Sequence, residues 1–472
     1  MTVELRAGLS AGQILYELLH RAALQYPDVL QVPETADAFR HRYQEILPRF
    51  EAARAASDSA DDIALLLAEQ IREFIVWREG DHETPLDQKL EQAVSPLPLE
   101  NHTFAGQPGW RPRIVYAGKR WEASTLGALG HHLAGSGLVT ENAADALLWV
   151  QDNLLQQEKL VLAGAKIAVL GGGAEMAPTR LWLEAGADVL WLDVAPPPSE
   201  WFESSELSGR LFWSAVPADL LEKPGEILAT LRQFSDGKPM DLGLYAYAPG
   251  QAREMRLTAA MNAMVDALEP QLIRSVTMLV SPTTPTRLST DDYAQMVRRT
   301  QERPGWEKML AMLGLLGRGG GHVSCGSARV TRSVVTIQGT SYQTAQYIGK
   351  LMTAISWARG GRLHEKDRAP VRVSANTAAI TRTRSLDHPV FAAAFGGAKA
   401  LGVETLTPRQ SRRLNGLLAV ADWLGPDLPR PGQVRIHGGI HAVPYPLQSA
   451  LYIAAAIGFC RAPRLLGGLL RN

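Results

Sequence analysis

The chain has 472 residues, more than a single hydrophobic core usually serves, so two or three domains are expected. Its 48 basic and 48 acidic residues cancel, which excludes a global field for nucleic acid or an anionic membrane and leaves only local patches. The two cysteines, Cys325 and Cys460, exclude a disulfide framework and lack the spacing of a zinc or iron–sulfur site. The first residues, Met-Thr-Val-Glu-Leu-Arg, carry no charged-then-apolar leader pattern, and about eighteen unbroken apolar residues occur nowhere. The expectation is a soluble cytoplasmic protein with no nucleic-acid partner and no metal.

Residues 1–160 read as a helical domain. Ser10 and Gln13 form a capping-box pattern ahead of Leu15, Leu18, Leu19 and Ala22, and Ile63, Leu66, Leu67, Ile71 and Phe74 share a helical face ending at Gly80. Two more helices are expected at about 124–134 and 140–157, with a Pro- and Gly-rich connector at about 94–113. Such a domain serves as a cap or a dimerisation surface, and a homo-oligomer is open on this reading.

Between 161 and 400 short apolar strands alternate with helical patterns, the texture of a mostly parallel sheet. Strands are expected at 166–170, 189–193, 210–214, 240–247, 275–281 and 371–377. A long excursion, with an insertion at about 286–332, separates the last two. Its helical face Trp306, Met309, Leu310, Leu313 and Leu316, followed by Gly319–Gly321, reads as a lid over an apolar substrate or as an added helical hairpin. Residues 401–472 read as a helical extension packed back on the sheet. Within it Ala450–Phe459 is too short to span a bilayer, while the Arg- and Leu-rich run Arg461–Arg471 leaves room for peripheral membrane contact. His437 and His441 sit in a glycine-containing loop without a third ligand, which suits a pH-sensitive substrate contact better than a metal.

The chemistry-bearing stretch is the strand pattern Lys166–Leu170 running into Gly171, Gly172 and Gly173, with a second apolar strand ending in Asp193. This is the order of a dinucleotide-binding βαβ unit: glycines admit the pyrophosphate, the next helix offers free N–H groups, and the acid holds the ribose hydroxyls. Met176 and Ala177 stand where a third glycine is expected. Asp193 would repel a ribose 2′-phosphate, favouring NAD, although Arg180 leaves NADP open.

Over about 164–400 the chain resembles the short-chain dehydrogenase/reductase superfamily. Leu170–Ala177 is similar to that family's glycine-rich turn, with Met176 in it; Leu242–Gly250 resembles its fourth strand and cofactor-lining turn, with Ala248 there; Val276–Ser281 resembles the fifth strand ending in serine. Ser341–Gln346 looks like the start of the active-site helix, and Val371–Thr383 is similar to the sixth strand and the threonine that meets the nicotinamide amide. The resemblance implies Tyr342 as proton donor or acceptor, Ser281 as oxygen ligand and Thr383 on the cofactor. The family's lysine four residues after the tyrosine is replaced by Gln346, which carries no charge to lower a phenol pKa. Lys350, one helical turn further on, is the candidate substitute.

The expectation is therefore an α/β chain with a Rossmann-type doubly wound parallel sheet, an N-terminal helical domain and an inserted lid. Its implied activity is NAD(P)-dependent oxidation or reduction of an alcohol or carbonyl on an apolar small molecule. Two alternatives are an epimerase, lyase or dehydratase that recycles its cofactor internally, and a nucleotide-sensing or scaffolding protein without catalysis.

Overall fold

Seven short strands make one sheet in this computed structural model, which describes residues 1–362, 371–377, 380–383, 389–426, 435 and 438–465. In chain order they are β1 (Leu99–Thr103), β2 (Lys166–Leu170), β3 (Asp188–Leu192), β4 (Arg210–Ser214), β5 (Met240–Leu244), β6 (Ile273–Val280) and β7 (Arg372–Thr377). Across the sheet they lie in the order β7-β6-β5-β2-β3-β4-β1, all parallel except the edge strand β1, which runs antiparallel to β4. Counting from β2, the six parallel strands have the doubly wound order 3-2-1-4-5-6, so chain direction across the sheet reverses between β2 and β5. The carboxyl ends of these two neighbours open the crevice where such sheets bind ligands.

Strand period decides which core each side chain joins. Along β2, Ile167 and Val169 enter one apolar cluster while Ala168 and Leu170 enter another, and β5 is buried throughout. One face is covered by helices Pro224–Ser235, Arg253–Ala267 and Gly339–Arg362, onto which Ile14, Leu18, Phe39, Leu47, Ile63 and Leu67 of the N-terminal helices pack. The other carries Leu126–Gly135, Glu141–Asn153, the short Thr179–Glu184 and Pro408–Leu424. On this face the rings of Trp182 and Trp423 lie 4.9 Å apart, and Trp423 donates from Nε1 to Thr277 Oγ1 of β6. A third cluster joins helices Pro389–Ala398 and Leu447–Arg461 at the carboxyl edge of the sheet.

The expected Ser10–Gln13 capping box opens the first helix, Ala11–Gln25. Elsewhere in the first 160 residues the structure departs from an all-helical reading. The helix Ala60–Gln70 tightens to a 3₁₀ turn at Ile71–Phe74 and gives way to a strand, Ile75–Glu79, paired with Thr2–Leu5 and His82–Pro85. Gly80, at φ +60°, supplies the turn of that hairpin. The presumed connector contains β1, whose Leu-Glu-Asn-His-Thr sequence lacks an apolar run because an edge strand keeps one side in water. The insertion folds as helices Thr290–Gln301 and Gly305–Met312 and the hairpin His322–Cys325/Ala328–Thr331. No described helix is long and apolar enough to cross a membrane.

Candidate functional site

A cavity of about 810 Å³ opens at the carboxyl end of the sheet, beside β5 and β6. It is within the size range of small-molecule sites. Its lining runs from Gly173–Met176, past Ala246, Tyr247, Ser281, Thr283, Tyr342 and Gln346, to Thr381 and Thr383. The far wall is apolar: Phe391, Ala394, Phe395, Leu447, Leu451 and Ala454, from two helices that cross closely where Gly397 and Gly458 leave room for the partner backbone. The helix at Gly305–Met312 does not line this cavity. Its Met309, Met312 and Leu313 are turned outward, 52–79 % exposed, so the apolar cover comes from Pro389–Ala398 and Leu447–Arg461 rather than from the insertion.

At the sheet's reversal point the polypeptide turns sharply after β2. Gly171 has φ +87°, and a Cβ there would stand 2.4 Å from the backbone nitrogen of Ala246, so glycine is imposed by the approach of the chain leaving β5. At Gly172 a Cβ would meet the Trp191 ring at 2.6 Å, and at Gly173 it would meet Trp191 at 3.0 Å and Asp193 Oδ2 at 3.2 Å. Asp193 accepts hydrogen bonds from the N–H groups of Gly173 (2.9 Å) and Ala195 (3.3 Å). Its carboxylate thus ties the glycine turn to the end of β3. The helix expected to start at the turn begins only at Thr179 and has six residues, behind an uncapped Pro178. Gly171, Gly172 and Asp193 lie outside the cavity lining, and Gly173 and Met176 lie in it.

The opposite side is organised by β6 and helix Gly339–Arg362. Tyr342 and Gln346 are four residues apart and share a helix face that meets Ser281, the first residue after β6. Gln346 Oε1 accepts the Ser281 N–H at 2.7 Å, which turns its amide nitrogen into the donor left for the cavity. Ser281 Oγ lies 2.8 Å from Thr283 Oγ1, which donates to Gln338 Oε1 at 2.7 Å. Burial pushes the Tyr342 phenol up to about 12, against smaller downward pulls from its hydrogen bonds with Ser281 and Thr283. The Tyr247 ring meets Tyr342 edge to face at 6.1 Å, and its own phenol is raised still further by burial.

Lys350 and Ala248, like Gly171, Gly172 and Asp193, lie outside the cavity lining. Lys350 does not reach Tyr342. Its buried ammonium donates to Pro285 O (2.7 Å) and Thr286 Oγ1 (3.3 Å), and burial lowers its pKa to about 8 despite Glu51 nearby. It belongs with Glu51, Arg54 and Tyr347, whose hydroxyl donates to Glu51 at 2.7 Å, and anchors the start of the insertion. Ala248 packs toward the sheet core, and Ala246, Tyr247 and Pro249 line the cavity in its place. Thr383 lines it as expected, beside Thr381, whose hydroxyl lies 2.6 Å from Ser411 Oγ. His441 is fully buried, which rules out contact with bulk solvent, and His437 lies outside the described residues.

Sequence reasoning missed Thr283, Gln338 and Arg412, all in the lining. Only the helical Phe391/Phe395 spacing and the small-residue run Ala450–Gly458 carried a readable signal, that of two closely packed helices.

A nicotinamide dinucleotide fits one half of this arrangement better than the other. Hydroxyl and amide groups of Ser281, Thr381, Thr383 and Gln346 suit a nicotinamide and its ribose, whereas behind the glycine turn only the six-residue helix Thr179–Glu184 offers a terminus for the diphosphate. No family model and no curated protein matches the chain. Among solved structures it is similar to a short-chain dehydrogenase/reductase, a glucose/ribitol dehydrogenase from Brucella melitensis, at 13% identity and a TM-score of 0.35, covering 59% of this chain and 97% of that one. It is also similar to an apo SCOR enzyme from Clostridium thermocellum, at 14% identity and a TM-score of 0.30, covering 59% and 93%. The doubly wound fold rests on the strand order and registers of this chain, not on those likenesses.

Proposed function

We propose that the cavity binds a reduced nicotinamide dinucleotide together with an apolar carbonyl compound, and that the protein is an oxidoreductase working in the direction of reduction. The observation that carries this reading is the convergence of Ser281, Tyr342 and Gln346 on one cavity that also reaches Gly173 and Met176. When bound, the nicotinamide supplies the hydride. The chain's own part is to orient the carbonyl oxygen, through the Ser281 hydroxyl, and to deliver a proton to it from Tyr342 Oη as the C–O bond becomes an alcohol.

Burial raises the Tyr342 phenol to about 12, so it enters the reaction as a proton donor, which supports the reading in the direction of reduction. With Gln346 in place of a cation, nothing in the helix offsets that. Reduction should be flat in rate from pH 6 to 9, while oxidation of the alcohol should climb about tenfold per pH unit over the same range. The apolar wall formed by Phe391, Phe395, Leu451 and Ala454 selects a hydrocarbon-rich substrate. The test is turnover of a panel of apolar aldehydes and ketones, followed by loss of reduced nicotinamide. Tyr342→Phe should lower it by at least about a hundredfold. Full activity in that variant would remove Tyr342 from the chemistry.

A further inference from the structure

Elsewhere among the described residues the large apolar side chains left exposed stand singly, which is ordinary for a protein surface. One stretch differs. Val297, Trp306, Met309, Met312, Leu313 and Leu315 are all exposed and all fall within 297–315. Helical period explains the two sides of Gly305–Met312: Glu307, Leu310 and Ala311 turn inward, while Trp306, Met309 and Met312 turn outward. The inward side is firmly held, with Glu307 bound by Arg299 and by the Tyr445 hydroxyl at 2.9 Å. Gly314 and Gly317, at φ +78° and +68°, then reverse the chain so that Leu316 is buried and Leu315 is not. A Cβ on Gly317 would stand 2.9 Å from Ser449 Oγ, so this turn is seated on the start of helix Leu447–Arg461. Packing from beneath thus fixes an apolar face toward solvent.

The charges along it are mostly of one sign. Over 297–321 the exposed charged residues are Arg298, Lys308 and Arg318 against one acid, Glu302, in a chain that is neutral as a whole. The adjoining surface continues the pattern. Tyr452, Ala456 and Cys460 follow Ser449 along one exposed helix face, Arg461 and Arg464 end it, and 446–465 contains no acid. The other side of that helix puts Ala450, Leu451 and Ala454 into the cavity, so one helix thickness separates the cavity from this outward surface.

Apolar side chains flanked by basic ones match an anionic lipid surface, where the former enter the headgroup boundary and the latter meet lipid phosphates. A second copy laid on the same face would instead bring Lys308 and Arg318 toward like charges. We infer that helix Gly305–Met312 and the turn after it, beside helix Leu447–Arg461, form a docking surface for anionic lipid. The eight-residue helix lies along the bilayer, being far too short to cross it. The docking depends on neither the cofactor nor the reaction proposed above.

Co-sedimentation of the full chain with vesicles tests it, using phosphatidylcholine alone and phosphatidylcholine mixed equally with phosphatidylglycerol. The native protein should bind the mixed vesicles at least about tenfold more tightly than the neutral ones, a preference that shrinks as salt is raised. Met312→Gln/Leu313→Gln should weaken binding to the mixed vesicles by at least about tenfold. Lys308→Gln/Arg318→Gln should do the same and remove most of the difference between the two vesicle types, each cation being worth about fivefold. All four side chains are exposed, so the melting temperature should hold in both variants. A native protein that fails to bind the mixed vesicles, or an apolar variant that binds them equally well, overturns the surface. A native dimer in light scattering that Met312→Gln/Leu313→Gln splits, without vesicle binding, also overturns it and gives the face to a second copy.

Discussion

The two ends of the cavity are built in opposite ways. At the glycine turn the backbone closes on itself: Gly171 touches the chain after β5, Trp191 fills the space under Gly172, and Asp193 takes the Gly173 N–H. At the Ser281–Tyr342 end, side chains from β6, the following loop and one helix hold hydroxyl and amide groups toward open space. A motif that reads as a ligand cradle is thus, in good part, a packing device. The end that the sequence presents as incomplete, with Gln346 where a cation is expected, is the one with available polar atoms.

The largest expected effect falls on the packed end. Gly171→Val adds a branched side chain where φ is +87° and backbone lies 2.4 Å away, so it should cost about 3 kcal/mol or more in chemical denaturation. If stability is retained and only ligand binding is lost, the turn is a cradle after all and the comparison breaks.

Next is the open end. Gln346→Lys places a cation one helical turn from Tyr342 and should lower its pKa by about one to three units, raising the rate of alcohol oxidation at pH 7 by a similar number of decades. An unshifted pH profile would show that residue 346 does not face the phenol.

Lys350 sharpens the contrast between catalytic and structural lysines. Its pKa falls from the ordinary lysine value to about 8 on folding, so the unfolded chain holds more protons between those limits, and stability should rise with pH from about 8 to 10. Lys350→Met should remove that rise, as read by denaturation at several pH values, without changing the pH–rate profile. A changed pH–rate profile in that variant would return Lys350 to the active site.

The smallest effect is expected at Asp193. Asp193→Ala removes acceptors for two backbone N–H groups at a half-exposed site and should cost about 1 kcal/mol. If NADPH affinity rises in this variant while stability is unchanged, the carboxylate acts on the ribose and not on the turn.

Much of the site was legible where neighbours in sequence are neighbours in space. Tyr342 and Gln346 share a helix face, Ser281 ends a strand, and Gly171 sits at a strand-to-turn junction, all consequences of period and local backbone. Lys350 was misplaced for a physical reason: eight residues along a helix is more than two turns, and there the buried Glu51 and the carbonyl of Pro285 compete for its ammonium. The insertion read equally as a lid and as an added helical hairpin because its apolar periodicity marks a helix face without saying what faces it; Leu310 and Leu316 pack on the C-terminal cluster while Met309, Met312 and Leu313 face outward.

By itself the sequence determined the six parallel strands, through their apolar runs and turn punctuation, and with them an α/β sheet of the doubly wound kind. Those are local signals, set by side-chain period and backbone sterics within about ten residues. Only the tertiary structure decided that β1 completes the sheet, that Asp193 serves its own turn, that Pro389–Ala398 and Leu447–Arg461 wall the cavity, and that Arg412 reaches its mouth. Each of these joins residues far apart in the chain. A polar edge strand, a satisfied carboxylate and an arginine in a cavity lining acquire their meaning from the neighbours that packing brings, and no local pattern records those neighbours.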